Sequence, residues 1–446
     1  MKNLLTGVAY SVLIFISLLF FLLPAAAQQM PKLDEKAERM NYAEELRQKG
    51  EVDKAIEIYT QLIKTDPQFL GPYYGRGLAY STKKSFDLAI ADFTRAIELK
   101  SDVWAFYLNR GHAYLRKRMY DKAILDYTKT LELDPDELMA NLHRGMAYRW
   151  QKQNGLALAD FNKTIAAAPD FIGGYFERGL LYIDTKKYES AIQDFTTVIG
   201  LEPEFAEALG NRGYCYQRLK KYEAAVSDMS RLIELSPTDF EAYVSRAVGH
   251  IDLGNYKAAL ADLNKSAELD PKFIGTYVNL AYLYFKLENY DLVLSNSIKA
   301  VELDPKDAMA YNNRGFAYLL KGNLALAEPD INKSMELAPD LALAQNNKAL
   351  LYIKRKNYDL AMKEVEKAIK MDPELPEAYY NRGTIFYELK DYKKALADFN
   401  KALELNSGLR LVYLSRALVY DKIGEREKAK ADRQKAAELK KLLVVQ

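Results

Sequence analysis

The chain has one cysteine, Cys215, so no disulfide can form within it. Its 3 histidines add too little to build a structural zinc site. An excess of either charge is missing too, since 63 basic residues against 61 acidic ones leave +2 at pH 7. Broad binding to nucleic acid calls for a clearly basic surface, so nucleic acid is not an expected partner. The sequence also lacks a phosphate-binding glycine loop, an H-E-x-x-H pair, a paired-cysteine motif and a G-x-S-x-G turn. No catalytic residue, metal, cofactor or small-molecule substrate is expected.

Hydrophobic residues make up 49% of the chain and charged residues 28%, which fits a well-folded polypeptide and excludes a disordered one. The N-terminus stands apart. Lys2 precedes an apolar run from Leu4 to Leu23, and Pro24 and Ala25–Ala27 close it. A basic start, an apolar core and an A-x-A end read as a secretory signal over 1–27, cut after Ala27. The run is long enough to span a bilayer, so an uncleaved anchor over 4–23 is the alternative. Either reading puts everything after Gln28 across a membrane, in a bacterial periplasm or envelope. Membrane contact is expected only through that segment if it stays uncleaved. Residues 28–35 read as a linker and 444–446 as a tail.

Between them one pattern recurs. Tyr107-Leu-Asn-Arg-Gly111-His-Ala-Tyr114 and Tyr379-Tyr-Asn-Arg-Gly383-Thr-Ile-Phe386 are two examples. The small residue at their centre returns at Ala43, Gly77, Gly111, Gly145, Gly179, Gly213, Ala247, Ala281, Gly315, Ala349, Gly383 and Ala417, always 34 residues on. Twelve residues after each stands a second small or branched residue, from Ala55 to Ala429 with Val293 in the eighth place, and four further on usually an aromatic or aliphatic one such as Phe93 or Tyr127. Apolar spacing of three and four marks two amphipathic helices per unit, joined by a polar turn such as Lys186-Lys187. Periodic prolines, among them Pro67, Pro135 and Pro373, end the second helix. The proline is expected in the first turn of the next helix, capped by Asp134 or Asp304.

Over 36–443 this pattern resembles the tetratricopeptide repeat, with Tyr in place of the family's Trp early in the first helix. The resemblance implies an all-α, right-handed superhelical solenoid of twelve helical hairpins, each packing on its neighbours. It also implies a protein-interaction scaffold or adaptor that holds a peptide or partner protein along a concave face lined by first helices. A non-catalytic recruiting subunit of an envelope enzyme complex is the other reading. The charged stretch Lys32–Arg47 and the last helix, where Arg433 replaces the usual aromatic, are expected to cap the array.

Comparing the repeats predicts an ion pair. Nine carry an arginine just before the first small residue and an aspartate three after the second, for example Arg144 with Asp160. One has Lys348 with Glu364, and two lose both members together, Tyr42 with Ile58 and Leu280 with Asn296. Pairing within a repeat leaves no orphan, whereas pairing with the next repeat leaves three. A half-exposed bridge of this kind is expected to contribute about 0–1 kcal/mol.

Asparagine recurs two residues before the small one, at Asn41, Asn109, Asn211, Asn279, Asn313, Asn347 and Asn381. It is a mediocre helix former whose amide offers a donor and an acceptor to a peptide backbone. A ladder along the groove is expected, with Tyr282, Phe285, Phe316, Tyr380 and Tyr387 as candidate anchor aromatics. The eighth repeat (272–305) departs most from the pattern, and Pro329 follows inside the next second helix, where it should kink it. A softer seam is expected over 272–339. His112 and His143, on first helices of adjacent repeats, lack a third ligand and read as surface residues. Cys215 reads as a buried small hydrophobe.

Overall fold

The computed structural model describes residues 35–441, so the proposed signal or anchor segment lies outside the described residues. Every regular element among them is an α-helix, and the helices alternate between first and second members of twelve hairpins. Trp104–Arg116 with Tyr120–Leu133 is one such pair. No described helix is long and apolar enough to cross a membrane. The chain forms two compact units, Met1–Pro169 with repeats 1–4 and Asp170–Gln446 with repeats 5–12. In each unit, successive first helices touch and successive second helices do not, so both arrays curve toward the first-helix face.

A left-handed residue closes each hairpin. It is glycine in Gly50, Gly254, Gly322 and Gly424, and a residue with a side chain in eight others, including Lys186 at φ 59°. Lys186 and Lys187 donate their amides to the carbonyls of Ile183 and Tyr182, ending the first helix. The Cβ of an L-residue is strained there. Lys186→Gly is expected to stabilise the fifth repeat by about 0.5–1 kcal/mol, read as a raised urea midpoint with unchanged slope.

The loops between repeats differ from expectation. Pro135 and Pro305 each sit three residues before the next helix, which begins at Leu138 or Ala308. Asp134 and Asp304 terminate the preceding helix, and each carboxylate accepts the amide two residues on, from Asp136 at 3.2 Å and Lys306 at 2.8 Å. This is an Asx turn with proline preset at its corner, which competes with a helix start at the same place. Among the described residues only Pro376 opens its helix.

In five repeats the small residue of the first helix is a glycine that faces a ring, while Gly213 faces Met229 and Gly315 faces Ile331. A Cβ added at Gly145 would lie 2.7 Å from the Phe161 ring, and one at Gly77 2.6 Å from that of Phe93. Alanine appears instead where the residue sixteen places on is Leu263, Ser297, Val365 or Arg433, and also in the first repeat, where it is Tyr59. At those five positions the glycine makes room for an aromatic side chain as well as for the facing helix. Gly145→Ala is expected to cost about 1–3 kcal/mol through overpacking, and Phe161→Leu in the same chain to recover most of it, measured by thermal melting.

All nine arginine–aspartate pairs form within their repeats, and each is bidentate. Arg144 donates from Nε and Nη2 to the two Asp160 oxygens at 2.8 Å each. The aspartates are buried, not half-exposed. The guanidinium also reaches back one repeat: Arg144 Nη1 donates to Thr128 Oγ1 at 3.2 Å, and Arg76, Arg110, Arg212 and Arg246 do the same to Thr60, Thr94, Thr196 and Ser230. One residue therefore ties three helices. The exchanged pair does not form. Lys348 turns to Asn332 at 2.7 Å and Glu328 at 3.5 Å, while Glu364 takes Gln345 and Lys367. An ammonium lacks the planar fork that holds a carboxylate at two points.

The helix Leu324–Leu337 runs through Pro329 unbroken. The junction of Tyr256–Leu269 with Ile274–Lys286 is the thinnest of its kind in the second unit, at the start of the 272–339 stretch. The division between compact units nevertheless falls at 169/170. The last helix, Arg426–Lys441, exposes most of its length and holds Arg433 on Asp421, which suits an end of the array.

Candidate binding groove

The recurrent asparagines stand on the inner, first-helix faces, but they are not equivalent. Asn211 and Asn279 each donate Nδ2 to the carbonyl one turn back, Glu207 at 2.7 Å and Gly275 at 2.8 Å. Asn313 accepts on Oδ1 from Asn312 at 3.3 Å. All three side chains stay partly open to solvent. Asn109, in the first unit, donates to Ala105 O at 2.8 Å and Tyr74 Oη at 3.1 Å.

Asn347 and Asn381 are buried at 5% and 3% exposure. Each donates Nδ2 at 2.8 Å across the repeat boundary, Asn347 to Asn312 Oδ1 and Asn381 to Asn346 Oδ1. These two amides tie neighbouring first helices and have little surface to offer a ligand. Their partners Asn312 and Asn346 form a second asparagine column that sequence reasoning missed. The doublets Asn312-Asn313 and Asn346-Asn347, one period apart, were the available signal.

The aromatic candidates divide as well. Phe285 and Phe316 meet edge to face at 5.1 Å between ring centres. Tyr380 packs on Phe399, and its hydroxyl accepts from Ser415 Oγ at 3.4 Å. Tyr387 packs on Tyr392. Burial pushes the Tyr282 hydroxyl well above the usual phenol range, and the negative charge of Asp252 adds to it. All five are partly buried between helices. Tyr214, on the first helix of the sixth repeat, is more open than these, with 44% of its surface exposed beside Tyr188.

The two histidines are not surface residues. His112 Nε2 and His143 Nδ1 lie 3.0 Å apart, and His143 Nδ1 also lies 2.8 Å from the Met139 carbonyl. A proton on His143 Nδ1 serves both acceptors. Burial, and then the neighbouring ring, lower the His112 pKa to about 3. Both rings face Tyr127, whose hydroxyl is buried without a hydrogen-bond partner. Phenylalanine fills that place in other repeats, and Tyr127→Phe is expected to raise stability by about 1 kcal/mol in chemical denaturation. Cys215 is fully buried, and burial pushes its thiol up to about 12. Among the described residues no three His, Cys, Asp or Glu side chains gather as metal ligands would.

Family patterns described as tetratricopeptide repeat match residues 42–103, 104–137, 176–240, 240–273, 274–307, 298–328 and 376–409, and one described as TPR repeat matches 349–390. Together they cover well over half of the sequence. No curated protein matches it. Among solved structures, a chain in the crystal structure of the APC/C hetero-tetramer Cut9-Hcn1 is 13% identical over 92% of this chain and 97% of its own, with a TM-score of 0.50. A tetratricopeptide repeat protein from Parabacteroides merdae ATCC 43184 is 21% identical over 56% of this chain and 98% of its own, at a TM-score of 0.46. YrrB, described as a TPR protein with an unusual peptide-binding site, is 22% identical over 41% and 95%, at 0.36. The first of these shows the same all-helical hairpin array.

Proposed function

We propose that this chain, which belongs to the tetratricopeptide-repeat family, is an exported, non-catalytic scaffold that holds a peptide or partner protein along its inner helix faces. Such repeats serve protein interaction, and one observation carries the finer reading. Asn211, Asn279 and Asn313 keep amide groups on the concave side at the same helical position, and their own hydrogen bonds leave acceptor or donor capacity unused. An extended main chain needs such groups, repeated along a line. The buried Asn347 and Asn381 belong to the framework that sets the spacing.

Export rests on Lys2, the apolar Leu4–Leu23 run and the Ala25–Ala27 end. The run's length favours, as a second reading, a scaffold tethered by it. N-terminal sequencing of protein from the native envelope separates the two: a start at Gln28 means cleavage, a start at Met1 an anchor. Recovery only from the cytosol would end the export proposal.

Crosslinking in native envelope tests the groove. A variant carrying Asn211→Ala, Asn279→Ala and Asn313→Ala is expected to lose partners that the wild type captures, with an unchanged melting midpoint. Equal recovery by both would refute the role of these amides.

A further inference from the structure

Two residues of the second unit break the repeat pattern, and they meet. The left-handed turn residue is lysine, arginine or glycine in every repeat but the eighth, where it is Glu288 at φ 57°. The residue that opens the first helix is apolar from Leu70 in the second repeat to Pro376 in the eleventh, and in the twelfth it is Arg410. Across 122 residues, Arg410 donates to Glu288 from Nε at 2.8 Å and from Nη2 at 2.6 Å. The side chains are only 18% and 28% exposed. A two-point, charge-assisted pair of this kind is specific in geometry as well as in charge.

Neighbouring groups converge on the same place. Tyr290 lies in the field of Glu288, Arg410 and Tyr380, which brings repeats 8, 11 and 12 together. Tyr282, on the inner face of repeat 8, lies in the field of Glu377 of repeat 11. Lys220, in the turn of repeat 6, reaches Glu374 at 3.8 Å, an exposed pair that adds little by itself. The turn edge of repeats 6 and 8 thus meets the loop edge leading into repeats 11 and 12, and this unit coils back on itself.

A solenoid is held by contacts between neighbouring repeats. The Glu288–Arg410 contact joins repeats that are not neighbours, and neither hairpin needs it to fold, since other repeats do with a lysine and an apolar residue at these places. We propose that Glu288–Arg410 is a clasp that shuts the inner face of repeats 8–12 from the side, so that a chain reaches Asn279 and Asn313 only when it opens. The consequence for ligands rests on the groove reading above; the mechanical claim does not.

The test needs no ligand. Asn313→Cys places one accessible thiol on the inner face, and the fully buried Cys215 stays silent. Its alkylation by iodoacetamide is compared with that by a 5-kDa maleimide-polyethylene glycol. With the clasp intact, the bulky reagent is expected to lag. Glu288→Arg or Arg410→Glu alone should raise its rate several-fold with helical content and the iodoacetamide rate unchanged, and the two exchanged together should restore the lag. Equal access of both reagents with the clasp intact overturns the proposal. So does a single charge reversal that leaves the ratio unchanged, or a double exchange that fails to restore it. Partner loss in the asparagine variant is scored separately, so either idea can fail without the other.

Discussion

Asp160→Ala is expected to cost the fourth repeat about 3–5 kcal/mol, seen as loss of amide protection across Leu138–Ala167 in hydrogen exchange. The side chains of Asp160 and Arg144 are only 4% and 14% exposed. Removing the carboxylate leaves the guanidinium out of water with Thr128 as its remaining side-chain hydrogen-bond partner. Replacing both at once, Arg144→Met with Asp160→Leu, removes the uncompensated charge and is expected to fall within about 1.5 kcal/mol of wild type. Burial pushes the Asp92 and Asp126 carboxyls up in the equivalent pairs while the arginines pull them down, so desolvation offsets much of the attraction. The intact pair adds little net stability; half of it costs a great deal. A single substitution costing under 1 kcal/mol, or a double costing more than the single, would refute this account.

The pairing could be read from the sequence because both partners vary together: Tyr42 with Ile58 and Leu280 with Asn296 lose the acid and the base at once. The depth of the pair could not, because burial depends on the adjoining repeat, whose Thr128 closes the third side. The helices, their period and their turns were legible for the same reason the repeat was, as local pattern repeated without a gap. The proline turns were misplaced by local reasoning. Pro135 suits a first helical turn and an Asx turn equally, and the Asp134 side chain settles the matter by bonding the Asp136 amide.

The groove was less legible. Asn279 and Asn347 occupy the same repeat position two periods apart, yet one keeps an open amide and the other is buried against Asn312. The difference comes from the residue one place earlier on the adjoining first helix, which a column of asparagines read singly does not show. Glu288 and Arg410 are each ordinary surface residues in isolation. Only the coiling of the second unit makes them one feature.

The histidine pair gives the other large effect. His112 titrates near 3 in the folded chain, and burial lowers His143 as well, against about 6.5 for an unfolded histidine. The unfolded state therefore takes up protons first as pH falls. Stability is intact above about 6.5, declines between 6.5 and about 3, and is flat with respect to His112 below that. For a shift of this size the loss is on the order of 5 kcal/mol. The groups that face His112 are His143 and the un-ionised Tyr127, and no compensating carboxylate acts on it. The raised Asp92 and Asp126 carboxyls work in the opposite sense, gaining a little stability as they protonate at the acid end. Hydrogen exchange across Trp104–Trp150 at pH 7, 5 and 4 is expected to show this segment opening first, after correction for the intrinsic rate. His112→Leu, matching Leu78 and Leu180 at the same repeat position, should flatten most of the decline. If wild type and variant fall in parallel with pH, the acid lability of the first unit has another source than this pair.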